Sequence, residues 1–357
     1  MNKTLLFLPD ISGYTEFVQN TEINHSQHVI SELLEILLAA NTQNMQLAEI
    51  EGDALFFFKE ELPTSEEILK QIEDMFSAFY SHLKNLEKNR ICPCNACANA
   101  PKLQLKIIAH CGEIEFITVQ NKRKPFGPQV IEAHRLLKNS IESDNYILIT
   151  NELIEAIKFP TEIGNQLFDF TKSQDSYDNK QIPYHYSIID KNKLKLKLFT
   201  DAKEVSFTKK PDISLELNFE TSADNLLEYI TNYSKRHLWT DGVDKFEFKE
   251  NEVTRIGSEH VCVIDGKKLN FVTVTTQGAP DELVYGEHTT SPPPIDELFQ
   301  IYKIKAKSEN TSLLKIEIYV RVNSIFKKLL FALLIKRLIK KNVLKAMNGL
   351  QKLVKKT

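Results

Sequence analysis

At 357 residues the chain is long enough for two domains, each with its own core. Its 45 Lys and Arg stand against 48 Asp and Glu, a net charge of −3, which argues against a general nucleic-acid binder. The longest apolar run, Leu329–Ile335, falls well short of the ~20 residues needed to cross a bilayer, and the run Leu5–Pro9 behind one lysine is too short for a signal peptide. The expectation is a cytoplasmic protein with no nucleic-acid partner. Five cysteines, three of them in one short segment, fit a reducing compartment better than a disulfide framework.

In chain order, Leu5–Thr15 reads as an apolar strand ending at Asp10, and Glu49–Phe58 as a second strand whose aspartate is Asp53. Strands of matching length offer both acids at one sheet edge. Two carboxylates on rigid strand ends make a hard-oxygen site, the kind that holds Mg²⁺ with a substrate's phosphates; the plainer alternative is that each is a turn residue. A helical pattern over His28–Ala40 and the hairpin Gln46–Phe58 follow, and Pro63–Glu67 caps a second helix, Glu66–Lys88. Cys92, Cys94 and Cys97 then form a C-x-C-x-x-C cluster. Three thiolates this close suit Zn²⁺, with Cys111 or His110 available as fourth ligand. A redox or metal sensor, or a loop of reduced cysteines that bind nothing, are the other readings.

Leu103–Glu115 alternates and turns at Cys111-Gly112, which predicts a hairpin with His110 as a packed strand histidine. Phe126–Leu136 opens a helix, Tyr146–Thr150 a strand, Asn151–Lys158 a helix and Ile182–Asp190 a strand. Lys191–Lys210, charge-rich and followed by Pro211, reads as a linker. Beyond it come a strand, Ile213–Phe219, and a helix, Asn225–Tyr233. Strands are expected over Lys245–Lys249, His260–Ile264, Leu269–Thr275, Leu283–Glu287, Phe299–Lys305 and Ser312–Val320, before a long helix, Ser324–Lys355.

Asp10-Ile11-Ser12-Gly13-Tyr14-Thr15 and Gly52-Asp53 resemble the signature of class III nucleotidyl cyclases over residues 1–190. The resemblance implies that Asp10, Asp53 and the Ile11 carbonyl hold two Mg²⁺ or Mn²⁺ ions, with Gly13 and Thr15 at the helix start near the phosphates of a nucleoside triphosphate. Phe126–Leu136 resembles the family's helix motif, which places Arg135 as the catalytic residue steadying transition-state charge and implies a homodimer. Ile131 stands where the family has a ribose-orienting asparagine and cannot make that hydrogen bond. Glu49 and Lys124 occupy the base-reading positions; the alternative is that they pair with each other. Lys172 and Lys180 are available near the end where the family has a triphosphate lysine.

Residues 211–357 resemble the START-like (SRPBCC) helix-grip fold, an antiparallel sheet closed by a long C-terminal helix. The whole is expected to be α+β: a ferredoxin-like, cyclase-type α/β domain, a linker over 191–210, and a domain enclosing a cavity for a small apolar ligand. The C-terminal helix carries Phe326, Leu329, Leu330, Leu333, Leu334, Leu338 and Leu344 on one face and lysines around it. Closure of that cavity by the apolar face is the expectation, and contact with a membrane surface the alternative. The function expected is conversion of a nucleoside triphosphate to a 3′,5′-cyclic nucleotide under ligand control. A catalytically silent nucleotide- and metal-binding regulator is the alternative.

Overall fold

The computed structural model describes residues 3–162, 167–178, 180–197, 204–250, 252–290, 292 and 294–355. The chain divides into two units, Met1–Asn85 with Ala98–Phe199, and Leu86–Cys97 with Thr200–Thr357.

In the first unit, β1 (Thr4–Ser12) leads through α1 (Tyr14–Asn20) and α2 (Ile23–Ala39) to the hairpin β2 (Gln46–Glu51) and β3 (Ala54–Lys59). The helix α3 (Ser65–Asn89), whose residues from Leu86 on are assigned to the second unit, and a short α4 (Asn95–Asn99), assigned to the second unit as far as Cys97, precede β4 (Gln104–Gly112), β5 (Glu115–Val119), β6 (Lys122–Phe126) and α5 (Pro128–Arg135). Then come β7 (Tyr146–Thr150), α6 (Asn151–Ile157), β8 (Thr171–Tyr177) and β9 (Lys180–Ile188). Seven strands form one mixed sheet in the order β2-β3-β1-β4-β7-β9-β8, with only β4 and β7 parallel. All nine residues of β1 are buried, as expected of a strand covered on both faces and paired along both edges. On one face Leu6, Leu8, Phe56, Phe58 and Ile108 pack with Ala133 of α5 and Leu136 just beyond it.

The hairpin expected at Cys111-Gly112 is not formed. β4 runs to Gly112 between β1 and β7, so neither of its edges is open to the next strand; β5 pairs with β6 in a separate two-stranded sheet. The helix expected from His28 begins at Ile23, and α1 precedes it. β8 was not foreseen, because its TKSQDSY sequence is polar and it lies at the sheet edge.

The second unit holds β10 (Ile213–Phe219), α7 (Ala223–Thr231), α8 (Tyr233–Arg236), β11 (Lys245–Glu247), β12 (Glu259–Ile264) and β13 (Lys267–Val274). It continues with β14 (Glu282–Thr290), β15 (Glu297–Ser308) and β16 (Thr311–Arg321), then α9 (Ile325–Leu330), a π-helical stretch Phe331–Ile335, and α10 (Lys336–Val354). Its seven strands form an antiparallel sheet, β10-β16-β15-β14-β13-β12-β11. Phe331, Met347, Leu350 and Val354 bury against sheet residues such as Leu215, Ile304 and Ile316.

Of the expected apolar face of the last helix, Leu344 packs against the core but most of the rest does not. Phe326, Leu329, Leu333, Leu334 and Leu338 are 58–74% exposed; the inward stripe instead runs through Phe331, Ile335, Ile339, Val343, Met347 and Leu350. Two apolar stripes share this helix, and the sequence alone did not separate them.

Gly349 lies on α10 where an added Cβ would come 2.6 Å from the carbonyl oxygen of Trp239. Backbone cannot yield as a flexible side chain can. Gly349→Ala should therefore destabilise the protein by about 1–3 kcal/mol despite its better helix propensity, measured as a lowered urea midpoint at unchanged slope.

Candidate functional site

The register of β1 places the two acids. Asp10 lies opposite Ala54 on one side, beside Asp53 in the β2–β3 turn, and opposite Lys106 of β4 on the other. The Ile11 N–H donates to the Asp53 carbonyl at 3.1 Å, which ties the turn to the end of β1. Gly52, with φ 69°, allows that turn. Burial raises the Asp10 carboxyl above its ordinary value, opposed by Lys106, whose Nζ lies 3.4 Å from Oδ2. Burial and then the Asp10 charge push Asp53 up to about 6. Two carboxylates that resist joint ionisation make a site that a cation would satisfy, so the donor set fits Mg²⁺ or Mn²⁺.

Lys106 escaped the sequence reading. Its signal was a lone cation inside the otherwise apolar LQLKIIA, and in the structure Nζ also donates to the Leu137 carbonyl at 3.1 Å. The ammonium thus stands against the same carboxylate that a metal would use.

The other expected residues are placed as follows. Gly13 has φ 86° and caps α1, in which Thr15 is exposed. Lys124 Nζ donates to Glu49 Oε2 at 2.9 Å, so the two positions expected to read a base satisfy each other. Ile131 is 55% exposed on α5. Arg135 pairs with Asp178 in the turn between β8 and β9. Lys180 pairs with Glu132, and Lys172 is exposed in β8. His134 anchors α5 to β2, with Nε2 2.9 Å from Glu51 Oε1.

His110 is fully buried in β4, with Nδ1 2.9 Å from Thr150 Oγ1 and Nε2 2.8 Å from Gln129 Oε1. Burial holds its ring below the ordinary histidine value. It also lies with Glu132 and Glu152 in a group whose potential ligand atoms are within 4.8 Å of one another, a juxtaposition of β4, α5 and α6 invisible in sequence spacing. The Cys111 thiol donates to the Glu152 carbonyl at 3.4 Å, and burial pushes it up to about 11. Both residues proposed as the fourth ligand of the cysteine cluster are therefore engaged within the first unit's sheet. Cys92, Cys94 and Cys97 themselves have sulfurs within 4.8 Å of one another.

The second unit carries a polar cluster that sequence reasoning missed. Arg236, Glu287 and His260 are nearly fully buried; Arg236 Nη2 lies 2.6 Å from Glu287 Oε1, and Tyr285 donates to the same oxygen at 2.8 Å. Burial alone would raise the Glu287 carboxyl, yet the Arg236 guanidinium holds it below its ordinary value. Burial lowers His260 to about 4, so its ring is neutral at pH 7, stacked on Phe271 with centroids 5.1 Å apart.

A family described as a protein of unknown function (DUF2652) matches residues 30–146. An uncharacterized protein of Mycobacterium tuberculosis, Rv2561/Rv2562, is 30% identical over 128 residues; the match covers 36% of this chain and 60% of that protein's length. Solved structures that resemble the chain are adenylyl and guanylyl cyclase domains, matched over about half of it. The guanylyl cyclase domain of the RhoGC fusion protein from the aquatic fungus Blastocladiella emersonii has 14% identity and a TM-score of 0.39, over 53% of this chain and 97% of that one. The adenylyl cyclase CyaB from P. aeruginosa has 16% identity and a TM-score of 0.39, over 53% and 94%. Likeness at this level carries no information about the chemistry of the site.

Because Asp53 is raised in the folded state, that state holds more protons than the unfolded one between about pH 4 and 6, so ionising it costs stability as pH rises through 6. Asp53→Asn should stabilise the protein at pH 7.5 without divalent cations by about 1 kcal/mol after allowing for the site's partial exposure, read as a higher melting temperature, and should have little effect at ~pH 4. In calorimetry, excess Mn²⁺ should raise the melting temperature of the native protein and leave Asp53→Asn unmoved.

Proposed function

We propose that residues 1–190 form a nucleotidyl cyclase-type domain that takes a nucleoside triphosphate with Mg²⁺ or Mn²⁺ and converts it to a 3′,5′-cyclic nucleotide. The observation that carries this reading is the pair Asp10 and Asp53, joined at one strand end and both held above the ordinary carboxylate range. The ions would be held by Asp10, Asp53 and the Ile11 carbonyl, and when bound they supply charge neutralisation for the triphosphate. Lys106 balances Asp10 in their absence and turns to the phosphates in their presence. Arg135, whose present partner Asp178 is exposed, is free to exchange that partner for charge developing on the substrate. Its site partner would be a second subunit, so a homodimer is part of the proposal. Reading a base requires the Glu49–Lys124 pair to open. Residues 211–357, beyond a linker at 191–210, are proposed as a START-like domain sensing a small apolar ligand, and the location as cytoplasmic; no helix among the described residues is long and apolar enough to cross a membrane.

A second reading, a catalytically silent nucleotide- and metal-binding regulator, is favoured by Ile131. Loss of an oriented donor typically costs on the order of 10²–10³ in rate. The full chain is incubated with each of the four nucleoside triphosphates and Mn²⁺, and products are sought by mass spectrometry. A cyclic product from one triphosphate is expected, abolished by Asp10→Ala and by Asp53→Ala and raised ~10-fold or more by Ile131→Asn. Nucleotide binding with no product from either protein would establish the silent reading. Absence of nucleotide binding would remove both.

A further inference from the structure

We propose that Cys92, Cys94 and Cys97 form a zinc-binding site, separate from the paired aspartates. The three sulfurs lie within 4.8 Å of one another, close to the ~3.8 Å edge of a tetrahedron with Zn–S bonds of about 2.3 Å. None of the five cysteines is in a disulfide. Pro93 separates the first two ligands, and α4 begins directly after Cys94, so one short turn presents all three side chains. The Cys97 N–H donates to Cys94 Sγ at 3.4 Å, a backbone hydrogen bond that orients that sulfur. Cys97 is buried, so one of the three sulfurs is held inside the unit. Three sulfurs so arranged form a soft donor set of the kind that suits a zinc ion. Cys111 is engaged with the Glu152 carbonyl, so the fourth position falls to another donor.

The test uses the full chain purified without chelator. Elemental analysis should find about one zinc per chain, falling below about one-tenth in Cys94→Ser and Cys97→Ser and unchanged in Cys262→Ser. Because the serine variants can misfold, Co²⁺ is also exchanged into the native protein, where thiolate-to-cobalt charge-transfer bands are expected. Native protein that takes up neither metal with its thiols reduced overturns the proposal, as does a Cys94–Cys97 disulfide in protein purified without reductant.

A second observation carries an independent inference. Ile325, Phe326, Leu329, Leu333, Leu334 and Leu338 are 58–86% exposed on one short stretch of helix. Residues 324–357 contain ten Lys and Arg and not one acid, in a chain whose net charge is −3. We infer that this stretch seats on an anionic bilayer surface, the apolar side chains entering the headgroup boundary and Lys328, Lys336, Arg337, Lys340 and Lys341 meeting lipid charge. A protein partner with a mostly apolar face would leave these cations unmatched.

Full-length protein is sedimented with vesicles of phosphatidylcholine alone and with added phosphatidylserine. Binding only to the anionic vesicles, weakened by salt and reduced at least ~10-fold by Leu333→Glu with Leu334→Glu, is expected. The replaced side chains are exposed, so the fold should tolerate the change. No binding to anionic vesicles overturns the inference, as does a concentration-dependent dimer that the same double variant abolishes.

Discussion

The first unit depends on one constraint, the simultaneous pairing of β1 with β3 and β4. Nine consecutive buried residues leave β1 no freedom to slip, since a shift by one residue would turn each side chain to the opposite face. With register fixed, Asp10 has neighbours it cannot leave: Asp53 across one edge and Lys106 across the other. Proximity between like charges is unfavourable in isolation. Here it is imposed by hydrophobic burial along the whole strand, and the lysine offsets part of it. Stability of the sheet is thus what holds an electrostatically reluctant pair together.

The second unit handles charge in the opposite manner. Arg236 and Glu287 are opposite in sign, face each other and are supported by Tyr285, so both remain ionised in an apolar surround. Replacing such a pair by matched hydrophobic groups is often neutral, whereas deleting one partner strands the other. The arrangement brings α8, β12 and β14 together around one buried carboxylate.

Much of the fold was legible in the sequence where burial and pattern agree. Tyr146–Thr150 and Ile213–Phe219 match their strands to the residue, because each is an apolar or alternating run bounded by turn residues. The hairpin at Cys111-Gly112 failed because a local turn signal cannot report whether a strand's edges are already occupied. Asp10 and Asp53 could be read as neighbours from strand lengths and a shared signature. The Glu49–Lys124 pair was one of two readings the sequence left open. Lys106 and the cluster of His110 with Glu132 and Glu152 could not be read, since they join residues distant along the chain through sheet order. The Arg236–Glu287 pair was hidden for the same reason.

The π-helical turn at Phe331–Ile335 lies where two apolar stripes with different destinations run side by side. Phe331, Ile335 and Ile339 turn to the core, while Leu333, Leu334 and Leu338, interleaved with them, meet water. Gaining or losing one residue in a helix rotates everything beyond it by about 100°. In this segment a single codon decides whether a row of leucines belongs to the protein's interior or to its surroundings.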